Sequence, residues 1–296
     1  MKLSGRIRAC SAAFGALVVS AASLVVPGSS AAQSVCKPAA STNEAKLLAF
    51  FAAPMAFAAA PEVLSLARGE VAIAGELTAV PRAPAAINAS SGACGFEKSE
   101  NSALSPVFPR PRVALGLGNG FVVEASWLPP VTVADATPNL GAIALAWTPA
   151  ALSLPFDAAL TFRVHGTFGG VNGPVTCPRD QLQLISTKQS CYGSEPSDDT
   201  YDPNVRGAEI VASRESGAWR WYGGAGVNAI AARFVVDFTD QGGFVDNNVV
   251  EISLARAALM AGASWQAHST LAFSAQLYSV PTDATTGRLG IAWRVR

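Results

Sequence analysis

A small set of ionisable side chains recurs inside otherwise apolar, alternating segments: Glu76, Glu124, Glu209 and Glu251 with Arg163, Arg220, Arg288 and Arg294, and His165 among them. Only 14% of the chain is charged and the formal net charge is zero, so each of these groups needs an opposite partner if it is buried. Four carboxylates matched by four guanidiniums can build either a binding or selectivity site or an interior ion-pair network. Of the two, the network is the reading we carry forward. Catalysis would need a nucleophile or activated water with a base in reach. The chain has two histidines, His165 and His268, and no serine is evidently partnered with either, so no enzyme is expected. With no positive surplus to neutralise phosphates, a nucleic-acid partner is not expected either.

Cysteine chemistry points outside the cytoplasm. Cys36, Cys94, Cys177 and Cys191 follow an N-terminal stretch that contains Cys10. An even number of cysteines in an exported chain reads as disulfides, and their spacings match no zinc template. Cys177 and Cys191 share one polar loop-like segment and are expected to bridge each other, with Cys36 and Cys94 as the default second pair. The acidic run Glu195, Asp198, Asp199 and Asp202 in the same segment lacks the glycine-turned cage of a calcium loop and reads as a solvated surface. No metal and no cofactor are expected.

The N-terminus has the three-part layout of a secretory signal: Lys2, Arg6 and Arg8, an apolar stretch from Ala12 to Val26, and small residues Ser30-Ala31-Ala32. The apolar stretch is about fifteen residues, short of the roughly twenty that span a bilayer as a helix. Residues 1–32 are therefore expected to be a signal peptide removed on export. Residues 33–69 form a less regular N-terminal segment in which Ala45 to Ala60 has the composition of a short helix. It is broken by Pro54 and too short to cross a membrane.

From residue 70 to 296 the dominant signal is alternation with period two between Gly, Asn, Asp and Pro clusters, the mark of strands and turns. We place strands near 70–79, 112–118, 120–128, 139–147, 157–168, 205–215, 218–238, 248–266, 271–280 and 288–296, which makes ten, within a range of eight to twelve. The 248–266 segment does not keep one phase, and a bulge near Arg256 is the simplest repair. One face reads Ile73, Leu77, Val113, Leu115, Ile143, Leu145, Leu160, Phe273, Leu277, Leu289 and Ile291. The other collects the charged set with Tyr222, Asn228, Gln276 and Tyr278.

Half the residues are apolar, yet no segment is a credible membrane helix, and the remaining structure whose backbone can satisfy itself in lipid is a closed barrel. The predicted fold is all-β: a closed antiparallel up-and-down transmembrane β-barrel of about ten strands, apolar residues outward and polar residues inward. Connections alternate in length. Those around 118–120, 149–156, 216–217 and 267–270 are short and periplasmic; those at 80–111, 129–138, 169–204, 239–247 and 281–287 are mostly longer and extracellular. Trp147, Trp219, Trp221, Trp265 and Trp293 fall near the short-turn ends, as an aromatic girdle would, and Trp127 falls near the other rim. If Cys36 pairs with Cys94, the N-terminal segment either threads the lumen as a plug or keeps both cysteines in the periplasm.

The final run, Arg288-Leu289-Gly290-Ile291-Ala292-Trp293-Arg294-Val295, resembles the C-terminal β-signal of bacterial outer membrane proteins: a polar residue, a glycine two later, then an aromatic and an apolar residue. The strand before it, from Leu271, is similar to the hairpins of such barrels. The resemblance implies recognition by the outer membrane assembly machinery and an outer membrane location, with lipids and lipopolysaccharide as neighbours. The expected role is structural or surface-interacting around a narrow, charge-paired lumen. Passage of a small solute is the alternative, and a barrel-embedded hydrolase the least favoured reading.

Overall fold

The computed structural model describes residues 35–94, 107–133, 135–150, 152–154 and 157–295. The expected signal peptide and its cleavage site lie outside them. Ten long strands form the wall: β1 (Val71–Ala79), β2 (Val107–Gly118), β3 (Phe121–Leu128), β4 (Thr137–Trp147), β5 (Ala158–Gly173), β6 (Val205–Ser216), β7 (Trp219–Ile230), β8 (Leu254–His268), β9 (Leu271–Val280) and β10 (Ala284–Val295). Each is antiparallel to its chain neighbour, and β10 closes on β1, with Trp293 opposite Ile73 and Leu289 opposite Leu77. Closure leaves no sheet edge within the wall, which is the condition for placing a sheet in lipid.

The period-two pattern decides which way each strand faces. Along β4 the exposure alternates strictly from Leu140 to Trp147, with Ala142, Ala144 and Ala146 buried and Ile143, Leu145 and Trp147 exposed. The outer surface carries Ile73, Leu77, Val113, Leu115, Val164, Leu277, Leu289 and Ile291, all large, apolar and uncovered by protein. Aromatic rings gather near the short turns: Trp219 stacks on Trp221 and Trp265, Trp265 on Phe273, and Trp147 between Phe121 and Phe162. Trp127 lies towards the opposite rim and donates to Asn139 Oδ1 at 3.3 Å. A surface that is greasy across its middle and ringed by indoles is suited to acyl chains bounded by headgroups.

Five strand boundaries differ from expectation: β10 starts at Ala284, paired with Val280, where 288 was expected, and four others differ for a local reason. β2 begins at Val107, inside the segment expected to be loop, because Pro109 and Pro111 are tolerated where the strand has a single partner. Both pair with β1, whereas pairing with β3 starts only at Val113. The expected strand 218–238 ends at Ile230, and Arg233–Val235 is a separate short strand. Likewise 248–266 is two elements, Val249–Glu251 and β8, separated at Ile252–Ser253. Arg256, where a bulge was expected, sits in regular register opposite Asn228 and pairs with Asp283 at 3.0 Å. The irregularity in β8 falls instead between Gln266 and His268. Finally, β5 runs on to Gly173, so that the expected strand 157–168 extends well past the wall.

Above the long-loop rim these extensions assemble a small cap. Asp199–Asp202 pairs with the end of β5, then with Arg233–Val235, which pairs with Val249–Glu251, and Val35–Cys36 joins the last in parallel. Two disulfides staple this end, Cys36–Cys94 and Cys177–Cys191. Buried Asp199 anchors the cap by accepting from Ser197 Oγ at 2.8 Å, the Asp237 amide at 3.0 Å and the Thr176 amide; burial pushes its carboxyl above the ordinary carboxylate range.

Candidate functional site: a plugged, arginine-lined lumen

The chain enters the barrel from the cap. Helix α1 (Asn43–Met55) starts at Thr42, whose Oγ1 accepts from the Ala45 amide at 3.3 Å, and descends with Leu48 to Met55 buried. An extended run, Ala56 to Ala60, continues down the middle. A single turn at Pro61–Val63 then leads to residues 67–70, which dock on the short-turn end of β2 through Gly69 N to Gly116 O (2.8 Å) and Gly116 N to Glu70 O (2.9 Å). Gly116 is required there: a Cβ would collide with the carbonyl oxygen of Ala67. Of the two arrangements open to the N-terminal segment, the structure thus has the plug. The wall makes room for it with alanines at Ala72, Ala74, Ala114, Ala142, Ala144, Ala146, Ala258 and Ala272, all buried and facing inward.

An extended segment inside a lumen has no sheet partner, so its carbonyls must find donors elsewhere. Every carbonyl from Pro54 to Ala59 accepts from a wall side chain. Arg288 Nη2 reaches Pro54 O at 3.5 Å and Arg110 Nη2 reaches Met55 O at 2.7 Å. Arg110 Nη1 and Arg288 Nη1 both reach Ala56 O at 3.0 Å. Arg163 Nη1 donates to Phe57 O at 2.6 Å, Arg112 Nη2 to Ala58 O at 2.9 Å and Gln276 Nε2 to Ala59 O at 3.0 Å. The guanidiniums of Arg112, Arg163 and Arg110 also surround the Phe57 ring at 4.2, 5.0 and 5.3 Å from its centroid. Such contacts are strongest when desolvated, as here.

The same guanidiniums are joined to one another through carboxylates in an unbroken chain around the wall: Arg288–Glu76 (3.4 Å), Glu76–Arg112 (2.6 Å), Arg112–Glu124 (3.1 Å), Glu124–Arg163 (2.8 Å), Arg163–Glu209 (3.0 Å) and Glu209–His165 (3.3 Å). On β4, Ala144 lies in register between Glu124 and His165, and Ala146 between Val122 and Arg163; their small side chains let Arg163 reach Glu124 across that strand. Beside the chain, Asn228 Nδ2 donates to Tyr278 Oη at 2.7 Å.

Of the nine ionisable residues singled out from sequence, six meet in this network: Glu76, Glu124, Arg163, His165, Glu209 and Arg288. Arg220 and Arg294 face inward at the short-turn end and grip the plug's exit. Arg220 donates to Pro61 O (2.6 Å) and Ser65 Oγ (2.9 Å) and pairs with Glu215, while Arg294 donates to Glu62 O (3.2 Å). Glu251 corrects the expectation: it lies in the cap, between Lys37 and Arg233 at 3.5 Å each, because the chain breaks before β8 begins. His268 hydrogen-bonds Thr270 at the short-turn rim (3.2 Å). Arg110, Arg112 and Phe57 were not singled out. Pro109 and Pro111 put Arg110 in the expected loop, Arg112 opened the expected strand 112–118 on the face opposite Val113 and was passed over, and an isolated Phe among alanines carries no signal by itself.

No family model matches this sequence, and no curated protein matches it. Among solved structures, the attachment invasion locus protein Ail of Yersinia pestis is 14% identical, covering 77% of this chain and 99% of its own, with a TM-score of 0.29. Neisserial surface protein A is 10% identical over 78% of this chain and 99% of its own, with a TM-score of 0.26. The toluene transporter TbuX of Ralstonia pickettii is 10% identical over 78% of this chain and 90% of its own, with a TM-score of 0.29. At that level of likeness no functional argument passes between them. The chain's own geometry gives the class: a closed antiparallel barrel, apolar outside, charge-lined and filled inside, is the architecture of a bacterial outer membrane β-barrel.

Proposed function

We propose that this is an outer membrane barrel sealed by its own N-terminal segment, with a structural or surface-interaction role carried by the disulfide-stapled cap. The observation that carries the reading is the unbroken run of gripped carbonyls from Pro54 to Ala59. A segment bound at every residue is a built part of the barrel's interior and stands in the way of free diffusion. Lipids and lipopolysaccharide would contact the apolar belt, and β10, with its β-signal-like run, would be the element read by the assembly machinery. His165 is buried in the lumen wall, which favours a non-enzymatic role.

Passage of a small solute is the second reading, and the polarity of the lumen favours it should the plug move. Planar bilayers separate the two. The full-length oxidised protein is expected to insert without steady conductance, and a steady open level in the wild type would favour the channel.

A further inference from the structure

We propose that the lumen holds a masked binding site for a small organic carboxylate, occupied in the resting protein by the C-terminal end of α1. The inference rests on the sealed-barrel reading and adds the class of ligand.

The pairing is uneven. Four buried guanidiniums, those of Arg110, Arg112, Arg163 and Arg288, meet three carboxylates in ion pairs, those of Glu76, Glu124 and Glu209, while the fourth buried carboxylate, Glu62, accepts from Ser274 Oγ at 2.9 Å. Arg110 is the unmatched one. Among the described residues it has no carboxylate within ion-pair reach, and its two terminal nitrogens donate instead to Met55 O and Ala56 O, at 2.7 and 3.0 Å. Two oxygens set side by side before the fork of one guanidinium reproduce what a carboxylate offers in a bidentate pair. They also belong to the end of a helix, where unsatisfied carbonyls carry about half a negative charge. No basic residue lies in the last turn of α1 itself, so the wall arginines are its counter-charge. The plug therefore presents a weak, neutral imitation of an anion to a guanidinium that has no carboxylate of its own among the described residues.

A second observation points the same way. Among the described residues, Arg112 Nε, Arg163 Nη2 and Arg288 Nε are buried and have no acceptor. An unpaired buried donor is costly, so an incoming oxyanion gains what the plug leaves unused. Arg110 also stacks against Phe108, at 5.1 Å from its centroid, a contact contributed by the wall and kept when Phe57 leaves.

A ligand can release Met55 to Ala60 from the arginines, within the closed ring, only by binding the released state better, so its presence must raise the population of that state. Hydrogen–deuterium exchange of the full-length, oxidised protein in lipid vesicles measures this at the amides of Met55 to Ala60. In sodium acetate these amides are expected to exchange several-fold faster than in sodium chloride of equal ionic strength. In Arg110→Lys, which keeps the charge but loses the fork, the two salts should give equal rates. Equal exchange in the two salts for the wild type, or a difference that survives in Arg110→Lys, overturns the proposal. Conductance of the wild type before any carboxylate is added would instead overturn the sealed-barrel reading, and the comparison of salts would still judge the site.

Discussion

Arg163 and Phe57, 106 residues apart, are joined twice: Nη1 donates to the Phe57 carbonyl at 2.6 Å, and the guanidinium carbon lies 5.0 Å from the centre of its ring. One wall residue thereby holds both the backbone and the side chain of the plug, while its Nε holds Glu124. Three guanidiniums in turn surround the Phe57 ring. Replacing the ring by an aliphatic group of similar bulk removes the quadrupole and keeps most of the volume. Phe57→Leu is expected to weaken plug docking by about 2 kcal/mol, given roughly 0.5–2 kcal/mol for each desolvated contact. Amide exchange at Met55 to Ala60 should then rise more than tenfold, while the barrel's heat-shifted mobility in electrophoresis stays intact.

Glu124 is the hub of the ion-pair chain, bridging Arg112 at 3.1 Å and Arg163 at 2.8 Å. Removing it leaves Arg112 with Glu76 alone and Arg163 with Glu209 alone, an excess of buried positive charge that costs about 3–5 kcal/mol for such sites. Glu124→Ala should lower unfolding stability in vesicles by that amount. The double variant Glu124→Ala with Arg163→Met should recover part of the loss, because one uncompensated charge is gone.

The Cys36–Cys94 bridge closes a ring that contains α1, the extended plug and β1. The plug cannot leave towards the cap, because its lower end continues into β1. Nor can it be drawn down through the lumen while its upper end is tied to the loop that follows β1. Full-length protein with Cys36→Ser and Cys94→Ser is expected to show brief openings in planar bilayers that the oxidised wild type lacks. Identical records from the two proteins would show that the bridge restrains nothing.

On the outer face the sign of hydrophobic substitution reverses relative to a soluble barrel. Ile291 and Leu289 are exposed on β10, in the region given to acyl chains. Arginine there costs about 2–4 kcal/mol near the midplane of a bilayer. Ile291→Arg should lower stability in vesicles by an amount in that range, while in an aqueous setting an exposed isoleucine would tolerate arginine freely.

Much of the wall was legible because alternation reports directly on which side is buried. Ile143 against Ala144 on β4, or Leu289 against Arg288 on β10, discloses both faces without any knowledge of the partner strand. Six members of the lumen network followed, since a charge at an inward position of a closed barrel must find another. The plug was legible only as one of two options. Its Ala-rich sequence is apolar on all sides, as a segment surrounded by wall must be, and so carries no periodicity to orient it. Arg110 was hidden by Pro109 and Pro111, which pair on one side only, while Arg112 stood at the start of the expected strand 112–118 without a visible partner. Glu251 was misplaced because 248–266 reads as one strand unless the break at Ile252 is known, and a break of that kind is set by tertiary packing of the cap.

Adjacent residues on β4 test the account most directly. Ile143 faces outward, half exposed at 53%, whereas Ala144 faces the plug at 3% and packs with Phe57. Single cysteines at the two positions, in full-length protein folded into vesicles, can be challenged with thiol reagents that partition into lipid or stay in water. Ile143→Cys should react with the lipid-soluble reagent and not the aqueous one, and Ala144→Cys should react with neither. Rapid aqueous labelling of Ala144→Cys would mean an open, watery lumen, and aqueous labelling of Ile143→Cys would mean that the apolar face does not meet lipid.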